Sequence, residues 1–91
     1  MGEARREVTI VNKRGLHARA SAKFVSAVAR MEGSEVRVSK DGGSAAGGSI
    51  LGLMMLGAAK GDAVELCVSG EAAEERLAEL VAMIEDGFGE D

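Results

Sequence analysis

The sequence predicts an α+β fold in the order β-α-β-β-α-β-α, a four-stranded antiparallel sheet with three helices on one face. Three observations carry this. Three clear β-patterned stretches and a weaker fourth are interleaved with segments whose apolar residues recur at helical spacing. The middle two strands are separated only by Asp41-Gly42-Gly43, a tight-turn signal that makes them antiparallel. Each of the three clear strands offers one apolar face, which fits a sheet covered on one side only.

Residues 1–5 are expected to be a frayed end. Residues 7–11 are short and β-branched, with Val8 and Ile10 on one face, and read as a strand. A loop over 12–16 turns at Arg14-Gly15. From His17 to about Met31 the period is helical: Ala20, Phe24, Val28 and Met31 form one stripe, with Ser21 and Val25 beside it. Arg19, Lys23, Ser26 and Arg30 face water on this reading, and Gly33 stops the helix. Residues 35–40 alternate cleanly as a second strand. Residues 44–46 form a short third one, and Gly47-Gly48 breaks it.

Ser49 precedes the apolar run 50–56 and so reads as the N-cap of a short helix that Gly57 ends. After the Lys60-Gly61-Asp62 turn, residues 64–68 alternate again, with Val64, Leu66 and Val68 inward and Cys67 outward or half-buried. A last helix spans 72–86. Ala73, Leu77, Leu80, Val81, Ile84 and Phe88 mark its apolar side, and Glu74, Glu75, Glu79 and Glu85 its polar side. The 91 residues suit one domain, 1–91, with 1–5 and 87–91 as loose ends.

Bulk properties exclude several classes of function. The formal net charge is −4, which opposes non-specific nucleic-acid binding, and two phenylalanines are too few to stack bases. A single cysteine gives no intramolecular disulfide and no cysteine-based metal set. The charged start lacks a secretory apolar region, and the longest apolar stretch, 50–59, is far short of a membrane span. A cytoplasmic protein without metal or cofactor is expected.

The chemistry is expected at His17, the only histidine. A helix start presents unpaired backbone N–H groups and a partial positive charge, and is a ready anion site. Near neutral pH an imidazole offers a nucleophilic nitrogen. Dipole stabilisation of a held phosphate is worth only about 0.3–1 kcal/mol, or about 2 when partly buried, which suits a group that must be passed on. The plain alternative is a capping histidine. Arg19 can grip phosphate oxygens with its planar fork, although the dipole disfavours a cation at this end. Ser49 is a helix cap that can also be phosphorylated. Ile50, Leu51, Met54 and Met55 cannot all be buried on so short a helix. Those left exposed would form an adaptable docking surface.

These residues resemble a known family. Asn12-x-x-Gly15-Leu16-His17-Ala18-Arg19 is similar to the active-site signature of HPr, the histidine phosphocarrier of the bacterial phosphotransferase system. Gly48-Ser49-Ile50-Leu51-Gly52-Leu53-Met54 is similar to that family's regulatory serine region, about thirty residues on. The resemblance implies an HPr-like open-faced β-sandwich. It implies that His17 accepts phosphate on Nδ1 from phosphorylated enzyme I, with assistance from Arg19, and passes it to a IIA-type protein. It implies that Ser49 is a target of HPr kinase/phosphorylase and that Ile50, Leu51 and Met54 contact partners. A monomer is expected.

Two positions depart from the pattern. Ala20 stands where most members have proline, so a looser first helical turn is expected. Gly48 stands where a lysine often precedes the serine, which weakens recognition by a kinase. The alanine after Arg19 and the run Gly52-Leu53-Met54-Met55-Leu56-Gly57 are similar to α-proteobacterial variants, in which the system often serves regulation more than sugar uptake.

Three functions compete: a carrier cycling at His17, a regulatory module switched at Ser49, and an independent small-molecule enzyme. The last is the poorest fit, because no paired carboxylates or Cys/His set is evident and so small a core leaves little room for a deep pocket.

Overall fold

Backbone pairing, more than apolar pattern, sets the length of the first strand. In the computed structural model, which describes residues 2–90, β1 spans Gly2–Thr9 instead of 7–11. It is followed by α1 (Ala18–Ala29), β2 (Ser34–Lys40), β3 (Gly43–Ala46), α2 (Ile50–Met55), β4 (Ala63–Gly70) and α3 (Ala73–Glu85). A 3-10 turn, Gly87–Gly89, closes the described chain. The strands form one antiparallel sheet in the order β1-β4-β2-β3.

Residues 2–5 are therefore not a frayed end: they pair with β4 in continuous register from Gly2 opposite Gly70 to Thr9 opposite Ala63. Their charged side chains hide the strand from an apolar-periodicity reading. On the outer face, Arg5 lies 3.4 Å from Glu65 and Cys67 Sγ lies 3.5 Å from Glu3. Burial and these carboxylates raise the Cys67 thiol above its ordinary pKa, so its reactive thiolate is scarce. Ile10 lies beyond the strand yet is fully buried, held by its N–H to the Asp62 carbonyl at 2.9 Å.

The β2–β3 connection is a two-residue turn. Asp41 (φ 50°) and Gly42 (φ 83°) both adopt positive φ, and Lys40 pairs directly with Gly43. This is the backbone that Asp-Gly favours in a tight hairpin. Val8, Val36, Val38, Val64, Leu66 and Val68 line the covered face of the sheet. Above them lie Phe24 and Ala27 of α1, Leu53 of α2, and Leu77, Leu80 and Ile84 of α3. Val25 and Val28 of α1 are only partly buried.

The C-terminal stretch is also not loose where the structure describes it. Phe88 takes φ 57° and is 3% exposed, so its ring continues the apolar side of α3 past the end of the helix. The flanking Gly87 and Gly89, at φ 65° and 73°, let the chain reverse around it. Met1 and Asp91, assigned to the loose ends from sequence, lie outside the described residues. Among the described residues no helix is long and apolar enough to cross a membrane.

Candidate functional site

The loop before α1 is held at both ends. The Gly15 N–H donates to the Asn12 carbonyl at 3.2 Å, and Asn12 Nδ2 donates back to the Gly15 carbonyl at 2.8 Å. Gly15 has φ 62°, and the Leu16 N–H that follows donates to the Ala58 carbonyl at 3.0 Å. Leu16 is buried, which anchors the backbone one residue ahead of the histidine.

His17 is the N-cap of α1, with extended backbone (φ −72°, ψ 179°). Its carbonyl accepts the first helical bond, from the Ser21 N–H at 2.9 Å. The first turn is therefore regular, not loosened by the alanine at position 20. Ala20 is fully buried, and the buried Ser21 Oγ donates to the Leu16 carbonyl at 3.1 Å, so packing and a side-chain bond fix the turn without proline.

Two contacts define the imidazole. Its Nδ1 accepts from the Arg19 N–H at 3.3 Å, and its Nε2 lies 2.6 Å from Glu90 Oε2. Together they assign the neutral ring its proton on Nε2, with the Nδ1 lone pair turned to the helix start. The Nδ1 contact is long, and the first-turn N–H groups, which a helix leaves without intrahelical partners, lie beside it. An acceptor nitrogen is thus placed where a phosphoryl group would meet backbone donors.

Sequence reasoning did not find Glu90. Its carboxylate also accepts from Asn12 Nδ2 at 3.1 Å, and Lys23 Nζ donates to the Phe88 carbonyl at 2.7 Å, tying the C-terminal strap to α1. The available signal was Phe88: an aromatic on the apolar side of the last helix pins whatever follows it. Hydrogen bonds from His17 and Asn12 hold the Glu90 carboxyl below its ordinary pKa. A depressed carboxyl stabilises the fold above its ordinary value of 4.5 and loses that contribution as pH falls through its lower folded-state value. Strap docking should therefore be complete above pH 4.5 and weaken progressively below it, read by amide exchange at Gly89 and Glu90. Protection unchanged down to pH 2 would contradict this.

Arg19 is exposed beside the imidazole, and its guanidinium makes no hydrogen bond among the described residues. It borders a groove of about 510 Å³ with Lys23, Arg30, Met83 and Phe88. Ser49 sits apart, as the N-cap of α2. Its Oγ accepts from the Gly52 N–H at 2.9 Å, and no hydrogen bond joins it to His17 among the described residues. Ser49→Ala should cost about 0.5–2 kcal/mol by removing that bond, read by urea denaturation. An unchanged midpoint would show that the cap does not support α2. Leu51 is 69% and Met55 78% exposed, and Ile50 and Met54 are also open, whereas Leu53 is buried. The short helix thus splits its apolar residues between core and surface.

Comparison with known proteins fits these observations. Residues 4–86 match the family described as the PTS HPr component phosphorylation site. The phosphocarrier protein HPr of Neisseria meningitidis serogroup A is 44% identical over 86 residues, covering 94% of this chain and 96% of its own. The crystal structure of HPr-C-His from Thermoanaerobacter tengcongensis superposes with a TM-score of 0.88 at 40% identity, covering 100% of this chain and 99% of that one. A second structure from that organism, described as an HPr dimer, has a TM-score of 0.73 at 42% identity, covering 93% and 99%. Fold and site together define a phosphocarrier protein. The chain belongs to the PTS HPr family.

Proposed function

We propose that His17 is the phosphoryl acceptor and that Nδ1 is the reacting atom. The observation that carries this is the split use of the ring: Nε2 is committed to Glu90, while Nδ1 keeps its lone pair at the start of α1. In the step, that lone pair attacks phosphorus and an N–P bond forms. The bond from phosphorus to the donor breaks, and its electron pair stays on the donor atom. Backbone N–H groups at the helix start and the Arg19 guanidinium, which makes no hydrogen bond among the described residues, receive the phosphate oxygens.

The donor is phosphorylated enzyme I, and the receiver is a IIA-type protein of the same system. Ile50, Leu51 and Met54 form the apolar part of the docking surface, a reading supported by their exposure beside α1. The chain acts in the cytoplasm as a monomer, and it turns over no substrate without partner proteins. Incubation with phosphoenolpyruvate and enzyme I should give one phosphoryl group per chain, labile in acid and stable in base. An acid-stable label, or none, would refute the proposal.

Ser49 supports a second, compatible reading, in which phosphorylation regulates docking. A phosphate on its Oγ brings about −1.5 to −2 charges to the start of α2, beside the apolar surface. HPr kinase/phosphorylase is the enzyme proposed to place it. Ser49→Asp should weaken partner binding, and binding unchanged by that substitution counts against this reading.

A further inference from the structure

We infer that Glu90 is a positioning residue for phosphoryl acceptance at His17, fixing the tautomer of the imidazole and offsetting the charge that the ring acquires. The inference rests on His17 Nδ1 being the acceptor and deepens that reading. Its ground is the way the carboxylate is held. Phe88 is seated in the core, its carbonyl is bound by Lys23 Nζ at 2.7 Å, and the Glu90 N–H donates to the Gly87 carbonyl at 3.0 Å. These anchors bring one carboxylate across two donors, Asn12 Nδ2 at 3.1 Å and His17 Nε2 at 2.6 Å. Asn12 is 3% exposed, and its amide orientation is set by the second bond, from the same Nδ2 to the Gly15 carbonyl at 2.8 Å. The loop before α1 and the chain after α3 thus meet at the imidazole.

A carboxylate can only accept here, so Nε2 carries the proton and Nδ1 keeps the lone pair. When Nδ1 bonds to phosphorus with Nε2 still protonated, the ring shares a positive charge. The Glu90 carboxylate, on the side of the ring away from phosphorus, offsets it. When the N–P bond breaks toward the receiver, its electron pair returns to Nδ1. The imidazole leaves neutral with its Nε2 proton in place, so no proton has to be supplied or removed during transfer. The arrangement serves acceptance and release alike.

The test uses the full chain as wild type, Glu90→Gln and Glu90→Ala, with the sheet amide spectrum confirming the fold of each. In the unphosphorylated wild type, proton–nitrogen NMR should show the Nε2 proton as a far-downfield signal protected from water. Glu90→Ala should lose that signal and accept phosphate about 10- to 100-fold more slowly, the scale of a hydrogen bond to a charged group. Glu90→Gln keeps an acceptor oxygen without the charge. It should retain the signal at a smaller shift and react at an intermediate rate. A signal unchanged in Glu90→Ala, or an acceptance rate within about twofold of wild type, overturns the inference. The ring-proton measurement needs no phosphate, so it stands even where His17→Ala still takes up label, the result that would sink the acceptor reading itself.

Discussion

A His17→Ala variant should take up no acid-labile phosphate when wild type is fully labelled. The loss expected is at least about 10,000-fold, the scale on which removal of a covalent nucleophile acts. The chain has no second histidine to substitute for it. The one cysteine has its thiol pKa raised and lies on the outer face of the sheet, where its neighbours are Glu3, Arg5 and Glu65. The variant should remain folded. It loses the Nδ1 cap on the Arg19 N–H and the Glu90 contact, both near the surface, and a lost cap costs about 0.5–2 kcal/mol. Intact-mass measurement after incubation with phosphoenolpyruvate and enzyme I reads the result, with circular dichroism for the fold. Stoichiometric label on the variant would move the acceptor elsewhere.

Gly15→Ala should be the most damaging single-methyl change near the site. Two effects add. At φ 62° a side chain occupies a backbone region costing about 1–2 kcal/mol. A Cβ there would also stand 2.2 Å from the Ala58 carbonyl oxygen and 2.8 Å from Ala59 Cα, both backbone atoms that cannot rotate away. Overpacking of this kind costs about 1–3 kcal/mol, so a total near 3 kcal/mol is expected. That corresponds to a fall in Tm of roughly 12–24 °C for a chain of this size. Relieving the clash means pulling the loop from Ala58 and breaking the Leu16 N–H bond to its carbonyl, which carries His17 with it. Phosphate acceptance should therefore fall even below the unfolding temperature.

Gly57→Ala is the control. Gly57 has φ 68° but nothing within 4 Å of a new Cβ, so only the backbone cost applies. Equal Tm losses in the two variants would show that contact with Ala58 is not what fixes the loop.

Features resting on local chemistry were legible in the sequence. Asp41-Gly42 specified its turn, Ser49 its cap, and the Ala73, Leu77, Leu80 and Ile84 stripe the buried side of α3. His17 was legible as a helix start because Gly15 punctuates the loop before it. Features resting on distant partners were not. Residues 2–6 show no apolar alternation, yet β4 supplies their hydrogen bonds. The first turn of α1 is fixed by Ser21 bonding back to Leu16, which makes the proline unnecessary. Glu90 meets His17 only because Phe88 folds the chain back over α1. An acidic residue in a glycine-flanked tail carries no local mark of that.

The strand order also sets how the chain must fold. Gly2 meets Gly70 and Thr9 meets Ala63, so β1 has no sheet neighbour until β4 exists. Among the described residues, the hairpin of β2 and β3 is the only strand pair that closes locally. β4 pairs with β1 on one side and β2 on the other, so forming that one strand joins both halves of the sheet. Assembly is governed by the search for distant partners, which places this small protein between helical bundles and all-β barrels in expected folding speed.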